Sequence, residues 1–129
     1  MKTKEILIID DDRDLTKSLQ AILEGENYTV NTANDAITGM EKLKMKKPDL
    51  LLLDVMMESD LEGHRLAHAI KEDKANKDLP ILVITGMRDT LGVNIRDAFE
   101  DVKELPGVYM LDKPFEKDEL LSRMTELME

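Results

Sequence analysis

The chain has 129 residues, a net charge of −10, 36% charged and 3% aromatic residues, and no cysteine. That length fits one domain with a real core of Leu, Ile, Val, Ala and Met; the acidic balance argues against direct binding to nucleic acid or anionic membranes, and the lack of cysteine excludes disulfides, thiol chemistry and thiolate-bound metals. The apolar runs are too short for a signal peptide or a membrane span, so a soluble, cytoplasmic protein is expected.

Ile6, Leu7, Ile8 and Ile9 form the first run, a strand buried on both faces that leads straight into Asp10, Asp11 and Asp12. Leu15, Leu19, Ile22 and Leu23 then recur at helical spacing, with Asp12 or Asp14 to cap the start and Gly25 to stop the helix. Residues 28–33 read as a weaker, more alternating strand near a sheet edge. Asn34 or Asp35 caps a second helix whose inner face is Ala36, Met40 and Leu43. Next comes the most apolar run: Pro48 and Asp49 introduce Leu50, Leu51, Leu52 and Leu53, and Asp54 stands at its end.

Residues 57–63 form an acidic loop with Glu58, Asp60 and Glu62, followed by a helix over 65–71 with Leu66, Ala69 and Ile70 inward. Pro80 introduces a fourth strand, 81–85, which ends at Thr85 and Gly86. Between Met87 and Pro106, the residues Ile95, Ala98, Phe99 and Val102 suggest another helix. A fifth strand covers 108–111. Asp112, Lys113 and Pro114 then lead into a last helix with Leu120, Leu121, Met124, Leu127 and Met128 inward, the methionines serving as core filler.

Strands alternating with helices, without hairpin turns, predict right-handed βαβ crossovers and an α/β fold: five parallel strands, covered on both faces, in one domain spanning 1–129. Parallel strands place their carboxyl ends on one edge, where open α/β sheets bind ligands. Here those ends read Asp10 and Asp11, then Asp54, Thr85 and Lys113. Two carboxylates about 4 Å apart repel by about 4 kcal/mol at an effective dielectric of about 20. Such a cluster calls for a cation, and an all-oxygen set suits Mg²⁺. A hydroxyl, an ammonium and the small Gly86 beside that metal would make a phosphoryl cradle.

Ile8-Ile9-Asp10-Asp11, the stretches 48–57 and 80–86, and Lys113-Pro114-Phe115 together resemble the receiver domain of two-component response regulators. The resemblance covers nearly the whole chain. It implies a flavodoxin-like, doubly wound sheet in the order 2-1-3-4-5 with helices on both faces. It implies Asp54 as phospho-acceptor, taking its phosphoryl group from a sensor histidine kinase or a phosphotransfer protein. Mg²⁺ would be held by Asp11, Asp54 and the Met56 backbone carbonyl, with Asp10 acting through water. Thr85, Gly86 and Lys113 would meet the phosphoryl group, the Lys113-Pro114 bond would be cis, and Met110 with Tyr109 would form the switch region. Such a domain is a self-phosphorylating switch with autodephosphorylation rather than an enzyme. It acts on a downstream protein target, with a homodimer through the last helix as a further option and no effector domain read in the chain.

The sequence also departs from the family pattern. Glu58 stands where a proline is usual, Met110 where the switch aromatic is usual, and residues 87–106 are longer than in typical members. Two other readings compete: a pseudo-receiver that only binds partners, and a haloacid-dehalogenase-like phosphatase using Asp10 and Asp12, which would leave Asp54 unexplained. His64 and His68 read as exposed surface, and the Glu58, Asp60 and Glu62 loop as solvated.

Overall fold

The computed structural model describes residues 3–54, 62–85, 107–112 and 115–128. In chain order these form β1 (Glu5–Ile9), α1 (Arg13–Gly25), β2 (Thr29–Ala33), α2 (Ala36–Met45), β3 (Leu50–Asp54) and α3 (Glu62–Glu72). A 3₁₀ turn (Lys74–Asn76), β4 (Ile81–Thr85), β5 (Val108–Asp112) and α4 (Lys117–Met128) follow. The five strands make one sheet in the order β2-β1-β3-β4-β5, with every adjacent pair parallel. This is the doubly wound, flavodoxin-like arrangement that the resemblance implied.

Strand alternation builds two cores. Leu7, Ile9, Leu51, Leu53, Ile81 and Val83 pack with Leu43 of α2 and with Leu66, Ala67 and Ile70 of α3. Their neighbours Ile6, Ile8, Leu50, Leu52, Leu82 and Ile84 pack on the other face with Leu19 and Leu23 of α1 and Leu120 and Met124 of α4. Central β3 is buried throughout, while β2, at an edge, alternates between exposed and covered positions. That is why the leucine run has no polar residue until its last position. Leu121, Leu127 and Met128 are partly buried against the α4-side core.

Two local expectations need correction. Ala69 is exposed, and Ala67 is buried instead. Leu66, Ala67 and Ile70 span a single stripe of about 100° on a 3.6-residue helix, and Ala69 falls outside it. The same helix begins at Glu62 rather than at residue 65, so Glu62 and Gly63 belong to it rather than to the loop. As expected, α1 stops at Gly25, its last residue, and the left-handed residue at the chain reversal is Asn27, with φ of 69°. Of the two cap candidates for α2, Asp35 is the cap. The helix expected within 87–106 lies outside the described residues. Among the described residues, no helix is long and apolar enough to cross a membrane.

Candidate functional site

The ladders align the ends of the central strands. Ile9 pairs with Leu53, so the next residues, Asp10 and Asp54, emerge side by side at the carboxyl edge. The alternation that sends Ile6 and Ile8 to the α1 face sends Asp10 the same way, and Asp54 follows Leu50 and Leu52. Asp11 completes the group. One carboxylate oxygen from each of Asp10, Asp11 and Asp54 lies within 4.8 Å of the others. Asp10 is 1% exposed and Asp54 5%, while Asp11 reaches solvent.

Three carboxylates this close repel by about 3.5 kcal/mol per pair at an effective dielectric of about 20. A small dication offsets that repulsion. The set is all oxygen, and its spread brackets the roughly 4 Å across a Mg²⁺ ion with ligands at 2.0–2.1 Å. The residues present therefore fit Mg²⁺, with one face open to water.

The main chain around Asp10 is fixed from several directions. Its N–H donates to the Ala33 carbonyl at 3.0 Å, extending the β1–β2 ladder by one step. Its Oδ1 accepts the Asp12 N–H at 2.9 Å. Its carbonyl accepts Asn34 Nδ2 at 2.7 Å and lies 3.4 Å from the Thr16 hydroxyl. Asp12 is the α1 cap, accepting the Leu15 N–H at 3.0 Å on Oδ1. That role takes up the second carboxylate of the Asp10–Asp12 pair and weighs against the phosphatase reading.

Thr85 ends β4, where its main chain pairs with Asp112 of β5, so this strand end reaches the same edge. Met110 packs against the core on the α2–α3 side, and Tyr109 is 42% exposed. The two therefore leave β5 on opposite sides, as strand alternation requires. Met56, Gly86, Lys113, Glu58 and Asp60 lie outside the described residues.

A sequence profile of the response regulator receiver domain matches residues 6–125. The chain belongs to the response regulator receiver family. Receiver domains are signalling switches, and the acidic cluster at the sheet edge is of the kind through which the family binds Mg²⁺. The chain is 36% identical over 123 residues to the response regulator MprA of Mycobacterium ulcerans, covering 95% of this chain and 49% of that protein. The MprA of Mycobacterium avium is 34% identical over the same length, with 50% of it covered. The receiver thus spans about half the length of the curated relatives it matches. A CheY-like receiver domain protein from Methanospirillum hungatei superposes with a TM-score of 0.80 at 27% identity, covering 98% of this chain and 94% of that one. A signal receiver domain from Bermanella marisrubri reaches 0.84 at 24% identity, covering 99% and 100%, a likeness of fold alone.

Thr16, and the contact of Asn34 with Asp10, escaped the sequence reading. Asn34 and Asp35 both look like helix caps, yet a helix has one N-cap position. The surplus residue was the available signal, and it is the one that turns toward the Asp10 main chain.

Proposed function

We propose that this receiver is a phosphoryl-accepting switch in which Asp54 is the acceptor. The convergence of Asp10, Asp11 and Asp54 at the carboxyl edge of β1 and β3 carries this reading. An Asp54 oxygen attacks the phosphorus of a phosphohistidine on a sensor histidine kinase or phosphotransfer protein. A P–O bond forms as the P–N bond breaks, and the histidine nitrogen leaves with the electron pair. Asp11, Asp54 and the Met56 carbonyl would hold Mg²⁺, with Asp10 acting through water; bound there, the ion neutralises charge on the transferring group. Thr85 and Gly86 receive phosphoryl oxygens, and Lys113 pairs with the phosphate.

The change passes from Thr85 along the β4–β5 pairing to Met110 and Tyr109, and from that face to a downstream protein target. We read the 129 residues as one receiver domain, acting in the cytoplasm. Intact mass after treatment with acetyl phosphate tests the chemistry. One phosphoryl group should add with Mg²⁺ present, and none with EDTA or in Asp54→Asn. Equal labelling of Asp54→Asn would move the acceptor elsewhere. Thr85→Ala and Lys113→Ala should still label, but lose the response to it.

A further inference from the structure

We propose that Asn34, backed by Thr16, is a positioning residue that sets the acidic cluster for its cation. This rests on the reading of Asp10, Asp11 and Asp54 as a Mg²⁺ site. Asn34 belongs to neither β2 nor α2; it is the connecting residue between Ala33 and the Asp35 cap. Its Nδ2 donates to the Asp10 carbonyl at 2.7 Å and lies 3.4 Å from Thr16 Oγ1. Thr16 is 3% exposed, and its hydroxyl donates to the Asp12 carbonyl at 2.8 Å, with the Asp10 carbonyl 3.4 Å away. Two side chains, one from α1 and one from the β2–α2 connection, therefore grip the main chain on which the acidic residues are strung.

The position of that grip matters. The Asp10 carbonyl and the Asp11 N–H share one planar peptide unit, so holding the oxygen fixes the plane from which Asp11 departs. The Asp10 N–H is already held by Ala33, and Asp10 Oδ1 by the Asp12 amide. With both sides of Asp10 held, its carboxylate and that of Asp11 are aimed at Asp54 before any ion arrives. Three mutually repelling anions would otherwise turn apart. Groups that orient metal ligands through a hydrogen bond typically contribute about 10–100-fold in metal affinity.

Mg²⁺ titration by calorimetry, alongside thermal unfolding of the metal-free protein, tests the proposal. Asn34→Ala and Thr16→Val should remain folded at the titration temperature and bind Mg²⁺ about 10-fold more weakly. Thr16→Ser, which keeps the hydroxyl, should bind like the wild type. In the metal-free protein, exchange of the Asp11 and Asp12 amides should quicken in Asn34→Ala, as expected for a released peptide plane. Should Asn34→Ala fail to fold, Asn34→Ser, too short to reach the carbonyl, carries the same expectation. A lowered melting temperature with an unchanged Mg²⁺ dissociation constant overturns the positioning role and leaves the Mg²⁺ site intact. A wild-type protein that binds no Mg²⁺ overturns the proposed function itself.

Discussion

Gly39 of α2 and Ile9 of β1 approach so closely that a Cβ on the glycine would stand 2.5 Å from Ile9 Cδ1 and 2.9 Å from its Cγ1. Ile9 is fully buried and directly precedes Asp10, so α2 rests on the last residue before the acidic cluster. Gly39→Ala gains about 1 kcal/mol in helix propensity. Forcing a methyl into a filled core costs about 1–3 kcal/mol. The packing cost should win, lowering stability by about 1 kcal/mol in urea unfolding. Ile9→Val removes the Cδ1 atom, so the double variant should recover part of the loss; strictly additive losses would place the strain elsewhere.

Two other glycines should respond in opposite directions. Gly25 has no atom within 4 Å of an added Cβ and is the last residue of α1, so Gly25→Ala should stabilise by about 0.5 kcal/mol. Gly107 holds φ of 76°, and its added Cβ would stand 3.4 Å from the Leu79 carbonyl and 3.2 Å from Lys71 Nζ. A left-handed alanine costs about 1–2 kcal/mol, so Gly107→Ala should destabilise by at least that much. Chemical unfolding of the two variants side by side decides it.

These glycines illustrate what the sequence could reveal. The strands and the acidic edge were legible because Ile6 to Ile9 and Leu50 to Leu53 are apolar on both faces, and their first polar residues, Asp10 and Asp54, mark the strand ends. Ligand-edge residues were found by where hydrophobicity stops. Features set by tertiary contact left no such trace. Gly25 ends α1 as its place in the sequence suggests, but the left-handed turn beyond it falls on Asn27. Ala67 and Ala69 are the same residue type, and only the neighbouring strands choose between them. Asn34 carries the local signature of a cap while its partner, Asp10, is 24 residues away.

Asp35 ties stability to pH. Its Oδ1 accepts the Thr38 N–H at 2.7 Å, and that amide holds the carboxyl below its usual value of 3.8. A carboxyl with its folded pKa below its unfolded one contributes fully above the unfolded value, and loses that contribution as pH falls through the folded one. The stability difference between wild type and Asp35→Ala should therefore be constant near neutrality and shrink below pH 3.8. Denaturation series across this range measure it; a difference that shrinks between pH 7 and 5 would assign the effect to another group.

Lys71 should act at the alkaline end. Its ammonium donates to the carbonyls of Leu79 at 2.5 Å and Asn76 at 3.2 Å, joining α3 to the approach to β4. Burial, reinforced by Lys47 and opposed by Asp78, pushes its pKa below the usual 10.5. Between the folded and unfolded values the unfolded chain binds more protons, so stability rises with pH in that window. Lys71→Met loses the ammonium's hydrogen bonds and should destabilise by about 1 kcal/mol at neutral pH, a modest figure because the group is partly exposed. It also lacks the alkaline gain, so its deficit should widen as pH approaches 10.5. A deficit that narrows there would mean the neutral amine is the poorer fit.

Removing one anion from the cluster should strengthen the metal-free protein and abolish its response to Mg²⁺. Asp10, Asp11 and Asp54 present oxygens within 4.8 Å of one another, and Asp54 is almost completely buried. Each pair costs about 3.5 kcal/mol before water and neighbouring dipoles reduce it. Asp54→Asn keeps the shape of the side chain, deletes its charge and relieves two of the three repulsions. Without metal, the variant should be more stable than wild type by about 1 kcal/mol, most of the bare Coulomb figure being screened. With Mg²⁺ at 100 times its dissociation constant, wild type should gain about 2.7 kcal/mol. The variant should gain far less, so the order of melting temperatures should reverse between EDTA and saturating Mg²⁺. Parallel curves for the two proteins, with no crossing, would mean that Asp54 neither strains the cluster nor holds the ion.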